Sequence, residues 1–214
     1  MVFTAPSTLV QEVIMRSMFI MKLKDAMTSK YTAKEISNKI GYQRKTEKHW
    51  GFISNEETGQ INVLYQLEPF TLGILDEKYQ MFPVYVQEYS CLQSQGHVNL
   101  NIATNIIRIR SKKDLLVLIF HAKGAQYNPH ILFLDTLFPY LPIMVSREPL
   151  DVKSNKNEEF IYLMSLSTER GSLEANKDDI LIIGGGLSDR SAAFAKLTVP
   201  ELFSIDYNMC INDE

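Results

Sequence analysis

Ser7-Thr8-Leu9-Val10-Gln11-Glu12-Val13-Ile14-Met15-Arg16-Ser17-Met18-Phe19-Ile20-Met21-Lys22-Leu23-Lys24 is the stretch on which the fold class turns. Val10, Val13, Ile14, Met18 and Met21 recur at helical spacing, with Leu9 and Phe19 beside them, which predicts a helix over 7–24. Thr8 and Gln11 form a capping box at its start. The apolar arc is wide, so the helix is either buried or docked on a partner. Met15, Met18, Met21 and Met27 make that face adaptable. Arg16 and Ser17 interrupt the run and Lys22 and Lys24 close it, leaving it short of the roughly twenty apolar residues a membrane span needs. No small-residue cleavage site follows it, so a secretory signal is not expected.

Downstream, Thr32 and Glu35 make a second capping box and Gly41 supplies a left-handed stop, which predicts a helix from Thr32 to Ile40. After Trp50 the pattern becomes one of short apolar segments bounded by Gly, Pro, Asn and Ser: 60–67, 82–89, 97–109, 115–120, 131–138, 141–145, 159–166 and 179–183. Val98-Asn99-Leu100-Asn101-Ile102 alternates, as a strand with one buried face does. Leu115-Leu116-Val117-Leu118-Ile119-Phe120 is continuous, as in a strand covered on both faces. A last helix is expected over Ser188–Leu197, then Pro200 and a final strand over Leu202–Tyr207. The expectation is therefore an α+β protein with a helical N-terminal region over 1–50. A strand-rich body over 51–214 follows, as a sandwich or a curved antiparallel or mixed sheet with a C-terminal helix.

Apolar residues at 45% and charged residues at 22% of 214 describe an ordinary globular composition, long enough to bury a core without covalent staples. Cys91 and Cys210 form no disulfide framework and no zinc-spaced cluster, which points to a reducing, cytoplasmic setting. The charge is uneven. Residues 1–50 hold nine Lys/Arg against four acids, a balance of +5, and the remainder carries −8, giving the net −3. A basic end on an acidic body attracts nucleic acid or an anionic membrane surface, or it packs on an acidic element of the chain or of another copy.

Residues 32–50, Thr-Ala-Lys-Glu-Ile-Ser-Asn-Lys-Ile-Gly-Tyr-Gln-Arg-Lys-Thr-Glu-Lys-His-Trp, resemble a helix-turn-helix, with Ile36 and Ile40 facing inward and Gly41 at the turn. The resemblance implies that Gln43, Arg44, Lys45 and Lys48 reach bases and phosphates, and that 51–66 forms a wing. Glu47 stands where the motif places an apolar residue, and the wing tip, Asn55-Glu56-Glu57-Thr58-Gly59, is acidic.

Asp179-Ile180-Leu181-Ile182-Ile183-Gly184-Gly185-Gly186-Leu187-Ser188-Asp189-Arg190 resembles a dinucleotide-binding turn. The resemblance makes Gly184 and Gly186 cofactor-binding candidates, with Asp206 at the distance of a ribose contact. Asp189 replaces the third glycine, and a plain strand–turn–helix accounts for the same residues. His121 and His130 flank the segment 122–129. If their strands form a hairpin, the two imidazoles with Asp135 are candidates for a metal or acid–base site, although the spacing matches no established ligand motif. There is no Gly-x-Ser-x-Gly, no His-Glu-x-x-His and no Walker loop.

The leading functional expectation is a non-enzymatic structural or interaction protein with no cofactor, similar in build to viral matrix or coat proteins. It would contact a polyanion, a protein partner or another copy of itself through Lys22, Lys24, Gln43, Arg44, Lys45 and Lys48. A winged-helix-like DNA-binding regulator is the alternative, and a nucleotide-using enzyme built on 179–206 is the third.

Overall fold

The computed structural model describes residues 2–10, 13–21, 33–39, 49–55, 58–93, 99–111, 113–123, 127–151, 161–187 and 191–210. In chain order the strands are β1 (Val2–Val10), β2 (Val13–Met21), β3 (Ala33–Glu35), β4 (Ser37–Asn38), β5 (Gly51–Ser54), β6 (Ile61–Leu67), β7 (Phe70–Leu75), β8 (Gln80–Gln87), β9 (Asn99–Ile102), β10 (Ile107–Arg110), β11 (Leu115–Lys123), β12 (Tyr127–Asp135), β13 (Pro142–Ser146), β14 (Ile161–Thr168), β15 (Glu174–Asn176), β16 (Ile180–Leu187), β17 (Ser191–Thr198) and β18 (Tyr207–Met209). The two helices among the described residues are short, α1 (Ser90–Gln93) and α2 (Val199–Ser204).

The α+β expectation is therefore overturned: the protein is mostly β. Where a helix was expected over 7–24, β1 and β2 form an antiparallel hairpin whose register runs from Val2↔Ile20 to Val10↔Val13. Val, Ile, Thr and Phe recur across the two arms, and β-branched and aromatic side chains fit a pleated surface better than a helix. The wide apolar arc was the trace of a strand pair. The expected helix from Thr32 to Ile40 is replaced by β3 and β4, and between them Ile36 is buried and donates its N–H to the Met18 carbonyl. The expected C-terminal helix over Ser188–Leu197 gives way to β17, which pairs with β16 along its whole length; Ser188–Arg190 lie outside the described residues. The last segments are exchanged. A helix occupies 199–204, with Pro200 in its first turn where no N–H is required, and the final strand begins at Tyr207.

The chain divides into two compact units, Met1–Tyr65 with Leu72–Tyr85, and Gln66–Thr71 with Val86–Glu214. The first is built on the sheet β1-β2-β3 and on the order β4-β8-β7-β6-β5. Its core gathers Met18, Ile36, Trp50, Val63, Tyr65, Leu75 and Met81, with Trp50 and Tyr65 rings 5.6 Å apart. Asn38 Nδ2 donates to the Tyr65 hydroxyl, which ties the short β4 to β6.

The second unit is a sandwich. Its larger sheet has the order β15-β10-β11-β12-β13-β18, with β9 also pairing β11, and its smaller sheet has the order β14-β16-β17. Ile107, Ile109, Val117, Ile119, Ile131 and Phe133 of the larger sheet meet Leu163, Leu166, Leu181 and Ile183 of the smaller one. The strand β11 is buried from Leu115 through Ala122, so both of its faces are covered and its sequence has no reason to alternate. The short α2 closes one side of this core with Val199 and Leu202. Its start is fixed by a reciprocal capping box in which Thr198 Oγ1 accepts from Glu201 N and the Glu201 carboxylate accepts from Thr198 N. Burial pushes the Tyr207 phenol above its usual range, and its hydroxyl donates to the Leu202 carbonyl.

A disulfide joins Cys91 in α1 to Cys210 just after β18, 119 positions away in sequence. It secures the last strand, which pairs with β13 through only Tyr207, Asn208 and Met209.

Candidate functional site

The positions expected to touch polyanions, Lys22, Lys24, Gln43, Arg44, Lys45 and Lys48, all lie outside the described residues. The helix that would carry the first half of a helix-turn-helix is absent, since Ala33–Glu35 and Ser37–Asn38 are strands.

Gly184 and Gly186 lie inside β16, with strands on both sides, and no helix follows from them. A cofactor turn needs a loop that ends at a helix N-terminus so that free amides meet phosphate. Here the glycines serve sheet packing. A Cβ on Gly185 would stand 2.6 Å from the Tyr162 carbonyl oxygen, so β14 could not approach a larger residue there. A Cβ on Gly184 would stand 2.5 Å from Ser165 Oγ and 3.4 Å from Phe194 Cε1. Asp206 is exposed and pairs with Arg147 at 3.2 Å.

His121 and His130 do lie on the two arms of one hairpin, as the sequence suggested. The register places Phe120 opposite His130 and His121 opposite Pro129. Directly opposed residues share a face and neighbours along a strand alternate, so the two imidazoles point to opposite sides of the sheet. His121 lies in the row of Val117 and Ile119, and its ring centroid is 4.7 Å from that of Tyr162. His130 stacks on Phe120 at 5.5 Å, and its Nδ1 donates to the Ser146 carbonyl at 3.1 Å. Asp135 interacts with Lys113 instead. Among the described residues no group of three His, Cys, Asp or Glu side chains is placed to hold a metal ion.

The densest charged cluster was not anticipated. Asp114 accepts from Arg108 at 2.9 Å and from Arg110 at 3.0 Å, and Arg110 reaches on to Glu174 at 3.0 Å. Partial burial works to raise the Asp114 pKa, but hydrogen bonds from Arg110, Arg108 and the Ser111 N–H outweigh it and hold the carboxyl below its usual value. Its members hold β15 against β10 and the β10–β11 turn closed, which is a fastening role.

What the described surface offers is apolar. Phe194 is 75% exposed and Met164 56% exposed, both on the smaller sheet. Leu137 and Phe138 project from the turn between β12 and β13, although that turn is held by Tyr140 N–H to Leu137 O and by Leu137 N–H to Asp135 Oδ1. The sequence held these residues, but nothing in its periodicity separates an exposed Phe in a strand from a buried one.

These features define a mostly β protein with a sandwich unit and exposed apolar side chains on ordered strands and turns. No known protein family, curated protein or solved structure matches the chain. No helix among the described residues is long and apolar enough to cross a membrane.

Proposed function

We propose that this is a non-enzymatic structural and interaction protein, one that works through surface contact and self-association in the manner of a matrix- or coat-like assembly protein. The observation that carries the reading is the display of Phe194, Met164, Leu137 and Phe138 on ordered β-structure. Phe194 and Met164 lie on one face of the smaller sheet, beside the bare Gly184 and Gly186 of β16, and contiguous exposed apolar surface is what marks a site that another molecule covers.

The basic balance of residues 1–50 supports a second contact, with a polyanion such as nucleic acid or an anionic membrane surface, through Lys22, Lys24, Gln43, Arg44, Lys45 and Lys48. The compartment follows the cysteines. The Cys91–Cys210 bond supports residence where thiols oxidise, in place of the cytoplasmic setting that two unpaired cysteines would suit.

The test replaces Lys22, Lys24, Arg44, Lys45 and Lys48 together with glutamine and measures binding to duplex nucleic acid, binding to anionic vesicles, and self-association. Loss of polyanion binding, steep in salt for the unmodified chain, is the expected result. Unchanged behaviour in all three assays rejects the basic region as a contact surface.

A further inference from the structure

The geometry points to the open edge of β17 as the place where two copies of this chain join, antiparallel and about a twofold axis through Phe194. This inference deepens the assembly reading and rests on it.

The backbone hydrogen bonds decide which groups face that edge. The Ile180 carbonyl accepts from Glu169 N–H, so Ile180 faces β14 rather than β17. Its partner Thr198 gives its N–H to the Glu201 carboxylate. The Ile180↔Thr198 pair therefore exchanges no ladder bonds. Val199, one position on, donates to Asp179 across the strands. The register from Ile180↔Thr198 to Leu187↔Ser191 is unbroken, and antiparallel pairs alternate between bonded and non-bonded. Ala193, Ala195 and Leu197 thus bond to β16, while the N–H and C=O groups of Ala192, Phe194 and Lys196 face the open side.

Among the described residues the edges at β14, β15 and β18 are blunted. On β14 the side-chain amide of Asn105 donates to the Leu166 carbonyl at 2.7 Å and accepts from the Leu166 N–H at 3.0 Å, occupying the edge as a further strand would. Thr168 N–H is taken by the Ser172 carbonyl. At the ends of the larger sheet, β15 and β18 are three residues each, one fastened by the arginine–carboxylate cluster and the other by the disulfide. Against these, β17 is eight residues long, contains no proline, carries one charge, and has no strand on its outer side among the described residues. Natural sheets avoid leaving such an edge open.

A second copy is the occupant that fits. Among the described residues the open groups are those of 192, 194 and 196, symmetric about 194. With Phe194 on the twofold axis, Ala192 meets Lys196 of the second copy, Lys196 meets Ala192, and Phe194 meets its counterpart. Every open group then finds a partner, and the Thr198 N–H is already spent in the cap. On the outer face the two Phe194 side chains stand opposite one another across the joined strands, and no like charges are opposed. Such an isologous contact closes on itself. A single strand edge is smaller than a permanent interface, so the dimer depends on concentration.

The test is sedimentation velocity on the full chain over a wide concentration range, comparing the unmodified protein with Ala192→Pro, Phe194→Glu and the five-fold glutamine variant. Proline at 192 removes an open-edge N–H and leaves the β16 ladder whole. Glutamate at 194 sets two carboxylates on the axis, and because Phe194 is exposed the fold survives. Each is expected to weaken the dimer roughly tenfold or more in protein that still unfolds cooperatively. An unmodified chain that stays monomeric at every concentration overturns the inference, as does a dimer indifferent to both edge substitutions in folded protein. A dimer lost only in the glutamine variant keeps the assembly reading and removes this edge from it.

Discussion

The ring of Phe194 lies across the strand from Gly184, with Cε1 3.4 Å and Cδ1 3.5 Å from the place a Gly184 Cβ would occupy. An aromatic side chain laid over a cross-strand glycine covers the backbone that the missing side chain would leave bare. The run Gly184-Gly185-Gly186 is therefore part of a sheet, and its three positions should differ in what they tolerate. Gly185→Ala drives a methyl into the Tyr162 carbonyl and the Leu163 backbone, so a loss of about 1–3 kcal/mol is expected. Gly184→Ala meets mainly Ser165 Oγ, which can rotate away, so its cost should stay within about 1 kcal/mol. Urea denaturation of the two variants gives the comparison. Equal losses would contradict the packing described.

Reduction of the Cys91–Cys210 bond, or Cys210→Ser, should lower thermal stability substantially. The bond closes a loop of 119 positions, for which chain entropy gives an upper figure of about 4–5 kcal/mol. Calorimetry with and without a dithiol reductant reads the difference. The reductant should leave the Cys210→Ser protein unchanged.

Asp114 should make stability fall in acid. Its carboxyl binds a proton less readily when folded than at an aspartate's ordinary value of 3.8, which stands for the unfolded chain. The stabilisation is present above that value and is lost as pH falls through the lower, folded pKa. Asp114→Asn should be less stable than the unmodified protein at neutral pH and should show a shallower decline below about pH 4. Chemical denaturation at a series of acidic pH values tests both parts.

His121 and His130 should not act as a metal pair. Bringing both imidazoles to one ion would require the β11–β12 hairpin to unpair, because its register sets them on opposite faces. Zinc is expected to leave the melting temperature of the unmodified chain where it is. A zinc-dependent rise that disappears in both His121→Ala and His130→Ala would show the register to be wrong.

Thr198→Ala should remove one half of the reciprocal cap at the start of α2 and cost about 1 kcal/mol. Thermal melts measure this directly, and Thr198→Ser should recover most of the loss.

The central strands were legible because burial on both faces writes itself into sequence as an unbroken apolar run, as at Leu115–Phe120, which lies within the buried β11. The first hairpin was not, because Val10, Val13, Ile14, Met18 and Met21 satisfy a helical period while the same residues also populate two strands. Ser191–Thr198 misled for another reason: three alanines favour a helix locally, but pairing with β16 along eight positions overrides that preference. Local propensity cannot register a partner strand that lies elsewhere in the chain. The same limit hid the covalent link, since two cysteines 119 positions apart carry no spacing signal, and it hid the opposed histidines, whose sides depend on a register that only the pairing fixes.

The amide of Asn105 against Leu166 bears on how large an assembly can grow. A sheet with two free borders can add copies indefinitely and becomes a fibre. In this small sheet the Leu166 groups on the β14 border are already satisfied from within the chain, so in the dimer inferred above strand addition would end after a single step. In that dimer Asn105 would act as a chain terminator for polymerisation. Replacing it with alanine would free the Leu166 groups of the second border and give such a dimer the means to form filaments.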